Sequence, residues 1–143
     1  MNHTKTFALA AAMLSAVNLQ AQTERTTIMN NKITPQKLEL TQEWDKTFPK
    51  SGRVNHRKVT FANRYGITLA ADVYEPKNAN GKFAAIAVSG PFGAVKEQCS
   101  GLYAQTLAER GFLTIAFDPS FTGESGGTPR RMASPDINTE DFQ

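Results

Sequence analysis

The chain has 143 residues, 40% of them apolar and 20% charged, with 16 Lys and Arg against 13 Asp and Glu and a formal charge of +3. That length allows one domain at most. The basic residues are scattered rather than gathered into the patch that a nucleic-acid reader carries, which excludes that class of partner. Cys99 is the only cysteine, so no internal disulfide is available. A lone thiol of this kind reads as a small apolar packer rather than a reactive group.

Residues 1–21 have the layout of a secretory signal: Lys5 at the charged start, an apolar stretch over 7–17, and Leu19-Gln20-Ala21 as a cleavage site. The apolar stretch is shorter than the ~20 residues that span a bilayer. Export to the periplasm or beyond the cell is expected, with no membrane association after cleavage. Residues 22–52 read as a lead-in. Residues 23–33 are polar without periodicity, whereas Leu40, Trp44 and Phe48 recur every four residues. That spacing predicts a short helix ending before Pro49 and docked on the body as a strap.

The domain itself is expected over 53–143. Residues 58–62 and 67–74 are rich in Val, Thr, Ile, Leu, Phe and Tyr, and Asn63-Arg64-Tyr65-Gly66 between them marks a hairpin. His56, just ahead of the first strand, reads as a surface residue, and one isolated histidine is a poor metal site. After a Pro, Asn, Gly and Lys loop over 76–82, the apolar run 84–88 predicts a strand covered on both faces.

Residues 97–110 predict a helix that gathers Cys99, Leu102, Tyr103, Thr106 and Leu107 on one face, with Gly111 as its stop. Residues 113–117 form a second apolar strand, which completes a right-handed βαβ unit. The fold class is therefore α/β, an antiparallel hairpin leading into a parallel sheet. Near the end, Asn138 is the expected cap of a further helix. That helix is too short to stand alone, so the chain reads as truncated.

Two loops lie at the carboxyl ends of the parallel strands, where open α/β sheets bind ligands. In Ser89-Gly90-Pro91-Phe92-Gly93-Ala94-Val95, backbone N–H groups can face a developing oxyanion. Pro91 has no N–H, so Phe92 and then Gly93 are the candidate donors. The second loop contains Gly123-Glu124-Ser125-Gly126-Gly127, which has the letters of a nucleophile elbow. An elbow needs a strand directly before its serine and a helix directly after it. Here the strand ends near Asp118 and Thr128-Pro129 follows, so Ser125 is read as a decoy. No histidine follows Ser125 to act as its base. Asp118, at a strand tip, is expected to cap its own loop.

These segments together resemble the α/β-hydrolase superfamily, in particular bacterial exported members similar to dienelactone hydrolases and X-prolyl-peptidase-like esterases. The resemblance is carried by Lys58-Val59-Thr60-Phe61, by Tyr65-Gly66-Ile67-Thr68-Leu69-Ala70-Ala71-Asp72 and by the 89–95 loop running on into Lys96-Glu97-Gln98. It continues through Tyr103-Ala104, Leu107-Ala108 and Gly111-Phe112 to Phe117-Asp118-Pro119-Ser120 and the 123–127 loop.

It implies a Ser or Cys nucleophile on an elbow after a fifth strand, with the acid and the histidine later still, all outside this sequence. What carries over is the oxyanion loop, with Phe92 N–H as its best donor, and the 123–127 loop as a wall. Many relatives place a histidine where Ser89 or Gly90 stands. The implied strand order sets the 84–88 strand between 113–117 and the fifth strand, so this chain alone is expected to expose an apolar edge and to aggregate.

The expected function is that of the N-terminal fragment of a hydrolase for a small ester, thioester or amide. It would need no metal or other cofactor and would be inactive alone. The alternative is a non-catalytic binding module on half a hydrolase scaffold.

Overall fold

A computed structural model describes residues 36–77 and 81–143, all within one of the chain's two compact units, Thr34–Gln143. The signal segment and the polar lead-in lie outside the described residues. Strands β1 (Val54–Ala62), β2 (Thr68–Pro76), β3 (Ala85–Val88) and β4 (Leu113–Phe117) form one sheet in the order β1-β2-β4-β3. β1 and β2 pair antiparallel from Val54↔Pro76 to Ala62↔Thr68. β4 runs antiparallel to β2 and parallel to β3. Helix α1 (Cys99–Ala108) makes the crossover from β3 to β4, and α2 (Pro135–Glu140) follows.

The hairpin turns on Asn63, whose side-chain oxygen accepts from the N–H groups of Tyr65 and Ile67, both at 3.0 Å. Gly66, at φ 78°, supplies the left-handed residue that the turn requires. Period-two alternation then sends Asp72, Tyr74, Thr114 and Ala116 to one face of the sheet and Leu69, Ala71, Ile115 and Phe117 to the other. The first face packs Val54, Tyr74 and Ala116 with Ala104 and Ala108 of α1 and with Phe48. The second packs Leu69, Ala71 and Phe117 with Val59, Phe61 and Ile67.

Several expectations are corrected. The 36–50 segment contains no helix. It is a strap in irregular conformation, because its polar groups are met by α1 and the loop before it rather than four residues back along itself. Thr47 N–H donates to Glu97 O at 2.9 Å, Ser51 N–H to Gln105 Oε1 at 3.0 Å, and Gln105 Nε2 to Pro49 O at 3.1 Å. Trp44 Nε1 closes the strap on Phe48 O at 2.8 Å.

Helix α1 does not bury the face carrying Cys99, Leu102 and Tyr103. It buries Ser100, Gly101, Ala104, Gln105 and Ala108, of which the four other than Gln105 are small and let it approach the sheet and Phe48 closely. Tyr103 is 64% exposed, and Cys99 is exposed rather than packed.

Strand β3 is not covered on both faces. It alternates exposed and half-buried residues, because α1 covers one face only and β4 is its single strand partner among the described residues. His56 is no surface residue: β1 starts at Val54, which places the imidazole inside the strand opposite Tyr74. The cap of α2 is Ser134. Asn138 lies within the helix, and its Oδ1 accepts from Ser134 N–H at 3.2 Å.

Candidate active-site cleft

Past Val88 the chain leaves the sheet and turns at once. Ala94 N–H bonds Pro91 O at 3.0 Å, and Gly93 has φ 84°. A bond across four residues with a left-handed third residue is the pattern of a type II turn. Phe92 occupies the second position, where its side chain is 71% exposed. Neither the Phe92 nor the Gly93 N–H donates to any other described residue. The two candidate donors stand side by side at the carboxyl end of β3.

Two clefts meet at this turn. One, of about 270 Å³, is bounded by Ser89, Phe92, Gly93, Pro119, Asn138 and Phe142. The other, of about 990 Å³, lies between the same Phe92 and Gly93 and the residues Phe121, Gly123, Arg130 and Arg131. Buried Ser89 Oγ, beside the first cleft, has no hydrogen-bond partner among the described residues.

Beneath the clefts, Asp118 does more than cap its own loop. Glu124 N–H donates to its Oδ2 at 2.9 Å, as a loop cap requires. The same carboxylate takes the Lys96 N–H at 2.7 Å and the Lys96 ammonium at 2.9 Å. A Cβ at Gly123, which has φ 52°, would lie 2.1 Å from Asp118 Oδ2, so this close approach requires glycine. Lys96 Nζ also reaches Glu97 Oε1 at 2.5 Å and Glu124 Oε2 at 2.7 Å.

The ion pairs run on toward the strap. Lys58 Nζ lies 2.8 Å from Glu124 Oε2 and 3.0 Å from Asp45 Oδ2. Lys46 bridges Asp45 at 2.6 Å and Asp72 at 3.0 Å. His56 Nε2 meets Asp72 Oδ1 at 2.7 Å. Burial works against the charges of Asp45, Lys58, Lys96, Glu97 and Glu124. It pushes Asp45 and Glu124 upward, yet hydrogen bonds from Lys46 and Lys58 to the first, and from Lys58 and Lys96 to the second, hold both at about 2. Burial lowers Lys58 and Lys96, but their carboxylate partners leave both raised. Glu97 goes the other way, because burial outweighs the pull of Lys96. Asp45, Glu97 and Glu124 lie close enough together to ligate a metal. Two ammonium groups already stand among them: Lys96, on Glu97 and Glu124, and Lys58, on Asp45 and Glu124 with Glu97 Oε1 at 3.8 Å.

Ser125 lies inside the wall of this site. Its Oγ donates to Asp118 O at 2.7 Å and accepts from Ala70 N–H at 2.8 Å, and the residue is buried. It stitches the loop to β2. Arg130 holds the loop from outside, its guanidinium on the carbonyls of Gly123, Ser125 and Gly127. Among the described residues no hydroxyl or thiol is paired with a histidine, since His56 Nε2 is taken by Asp72.

Sequence reasoning named Phe92 and Gly93 as candidate donors and Ser125 as a decoy; the structure places the first two on both clefts and the third in a buried loop. Sequence reasoning missed the lysine-centred network, although a lysine directly after a Gly-Pro loop, facing an aspartate at the next strand tip, was a usable signal.

No family model matches the chain. An uncharacterized protein of Pseudomonas aeruginosa, PA2218, is 67% identical over 135 residues, which are 94% of this chain and 36% of that protein. Its crystal structure matches at TM-score 0.73 and 76% identity, over 75% of this chain and 34% of its own. The uncharacterized protein YcjY of Escherichia coli is 48% identical over 91 residues, 61% of this chain and 30% of YcjY. The crystal structure of the α/β hydrolase GrgF from Penicillium sp. sh18 matches at TM-score 0.54 and 26% identity, over 62% of this chain and 29% of GrgF. The chain thus spans about a third of the length of the curated relatives it matches. Its antiparallel hairpin and parallel βαβ unit are the fold that α/β hydrolases carry in the matched part of their chains.

Proposed function

We propose that this chain is the N-terminal part of an exported α/β hydrolase that opens the carbonyl–heteroatom bond of a small ester, thioester or amide. One observation carries the reading. At the carboxyl end of β3 the type II turn leaves the Phe92 and Gly93 N–H groups without partners among the described residues, beside a cleft with aromatic walls. Donors fixed in advance at the site of developing charge need no reorganisation when the tetrahedral intermediate forms, which is what makes them effective.

In this reading the nucleophile is a serine or cysteine on an elbow supplied by sequence beyond Gln143. Its own backbone amide joins Phe92 N–H in holding the oxyanion, and an acid and a histidine follow in that order. Residues 1–21 direct export, 22–52 lead in, and 53–143 form the first part of the catalytic domain. The Lys96-Glu97-Gln98 run after the Gly-Pro loop supports kinship with dienelactone hydrolases and X-prolyl-peptidase-like esterases. No metal or other cofactor takes part.

Sequencing the locus beyond Gln143 tests the proposal. The expected result is an open frame with Gly-x-Ser-x-Gly or Gly-x-Cys-x-Gly, then Asp or Glu, then His. A stop codon at that point overturns it.

A further inference from the structure

We propose that the 36–50 strap is a working part of the cleft, and that Asp45 and Lys58 are positioning residues that set the Phe92 and Gly93 N–H groups through Glu124 and Lys96. The inference rests on reading those two amides as anion donors.

The loop that carries the donors has little to hold itself in place. Its residues are Ser89, whose Oγ has no partner among those described, two glycines, a proline, an alanine, a valine and the exposed Phe92. Its bonds are local: Ala94 N–H to Pro91 O at 3.0 Å, Val95 N–H to Gln98 Oε1 at 3.3 Å, and Val95 O accepting from Gln98 N–H at 3.0 Å and Ser100 Oγ at 3.5 Å. Anchorage begins at the next residue. Lys96 is fully buried, and both its backbone and its ammonium are bound to Asp118.

The strap reaches this anchor along two routes. Thr47 N–H and Oγ1 both bind Glu97 O, at 2.9 and 3.2 Å, on the residue adjoining Lys96. The second route is ionic. Glu124 Oε2 is shared between Lys96 at 2.7 Å and Lys58 at 2.8 Å, while Glu124 Oε1 accepts from Thr41 N–H at 2.7 Å. Asp45 in turn holds Lys58 at 3.0 Å. Without Lys58, Glu124 keeps a single ammonium in a half-buried setting and is freed to move, taking one of the Lys96 contacts with it. A loop that is shifted by even an ångström loses its alignment with a developing oxyanion.

The test uses the protein read in frame past Gln143 and methylphosphonate as a tetrahedral anion, followed through backbone ¹H–¹⁵N spectra. In the wild type the Phe92 and Gly93 signals are expected to move saturably with the anion. In Asp45→Asn and Lys58→Met the same signals are expected to need at least about tenfold more anion, by the scale of a 1.4 kcal/mol loss. The rest of each spectrum should be preserved, and Lys58→Arg should restore the response.

Asp45, partly open to solvent, keeps the test decisive if Lys58→Met fails to fold. Wild-type titration in both variants overturns the strap's role and leaves the donor reading intact. A wild type whose two amides ignore the anion overturns the donor reading, and this inference with it.

Discussion

Asp118 binds Lys96 twice, its Oδ1 taking the backbone N–H at 2.7 Å and its Oδ2 the ammonium at 2.9 Å, with neither side chain open to solvent. Removing one member of a buried pair strands the other charge, at a cost of about 3–5 kcal/mol. Lys96→Met and Asp118→Ala are therefore each expected to lower the unfolding free energy by that amount in urea titrations. A loss below about 1 kcal/mol, the worth of a surface pair, would mean that the clamp is not formed in solution.

The network also predicts an acid limit. Asp45 and Glu124 are held at about 2, below their ordinary values, so the folded chain binds these protons more weakly than the unfolded chain does. Their contribution is complete above the ordinary carboxylate range and is lost as pH falls from about 4.5 toward 2. Both groups are partly solvated, which limits each to on the order of 1–2 kcal/mol. Melting temperatures taken from pH 7 down to pH 2.5 should drop through that window. Glu124→Gln should begin lower and fall less steeply, and an unchanged slope in that variant would count against the ion pairs.

Gly101 marks where α1 meets the strap. A Cβ there would lie 2.1 Å from Lys96 O and 3.1 Å from the Phe48 ring, and the nearer atom is backbone that cannot swing aside. Gly101→Ala is expected to cost about 1–3 kcal/mol by overpacking, despite alanine's better helix propensity. A stabilised variant would show that the helix stands farther from the strap.

Cys99 gives a direct test of which face of α1 is buried. The thiol is exposed, so Ellman's reagent should titrate one thiol per chain without denaturant. Protection until unfolding would restore the packed cysteine expected from sequence.

The sheet was legible because each strand announced itself locally. β4 falls on 113–117 as expected, and the hairpin turn rests on the Asn63 and Gly66 that marked it. Periodicity misled at α1. Cys99, Leu102 and Tyr103 have helical spacing, but they form the outward face, and the buried one is built from Ser100, Gly101 and Ala104. Burial there follows closeness of approach rather than hydropathy, which a period cannot encode.

The strap failed for a related reason. The four-residue spacing of Trp44 and Phe48 reflects an edge-on ring contact at 5.7 Å and the Trp44 Nε1 bond to Phe48 O, not a helical turn. At the candidate site, Phe92 and Gly93 were proposed from the proline before them, and the turn does set them at the carboxyl end of β3. Lys58, Glu124 and Asp45 were not, because their partners are far apart in the chain and meet only once the sheet, loop and strap have formed.

The most direct test of the central claim is the rate of p-nitrophenyl ester hydrolysis by the protein read in frame past Gln143, with Phe92 and with Phe92→Pro. Proline suits the second position of a type II turn, so the turn is retained while the N–H is removed. The account predicts a kcat lower by about 10²–10³-fold, the cost of one oxyanion donor, with an unchanged melting temperature. Equal turnover in the two proteins would contradict it.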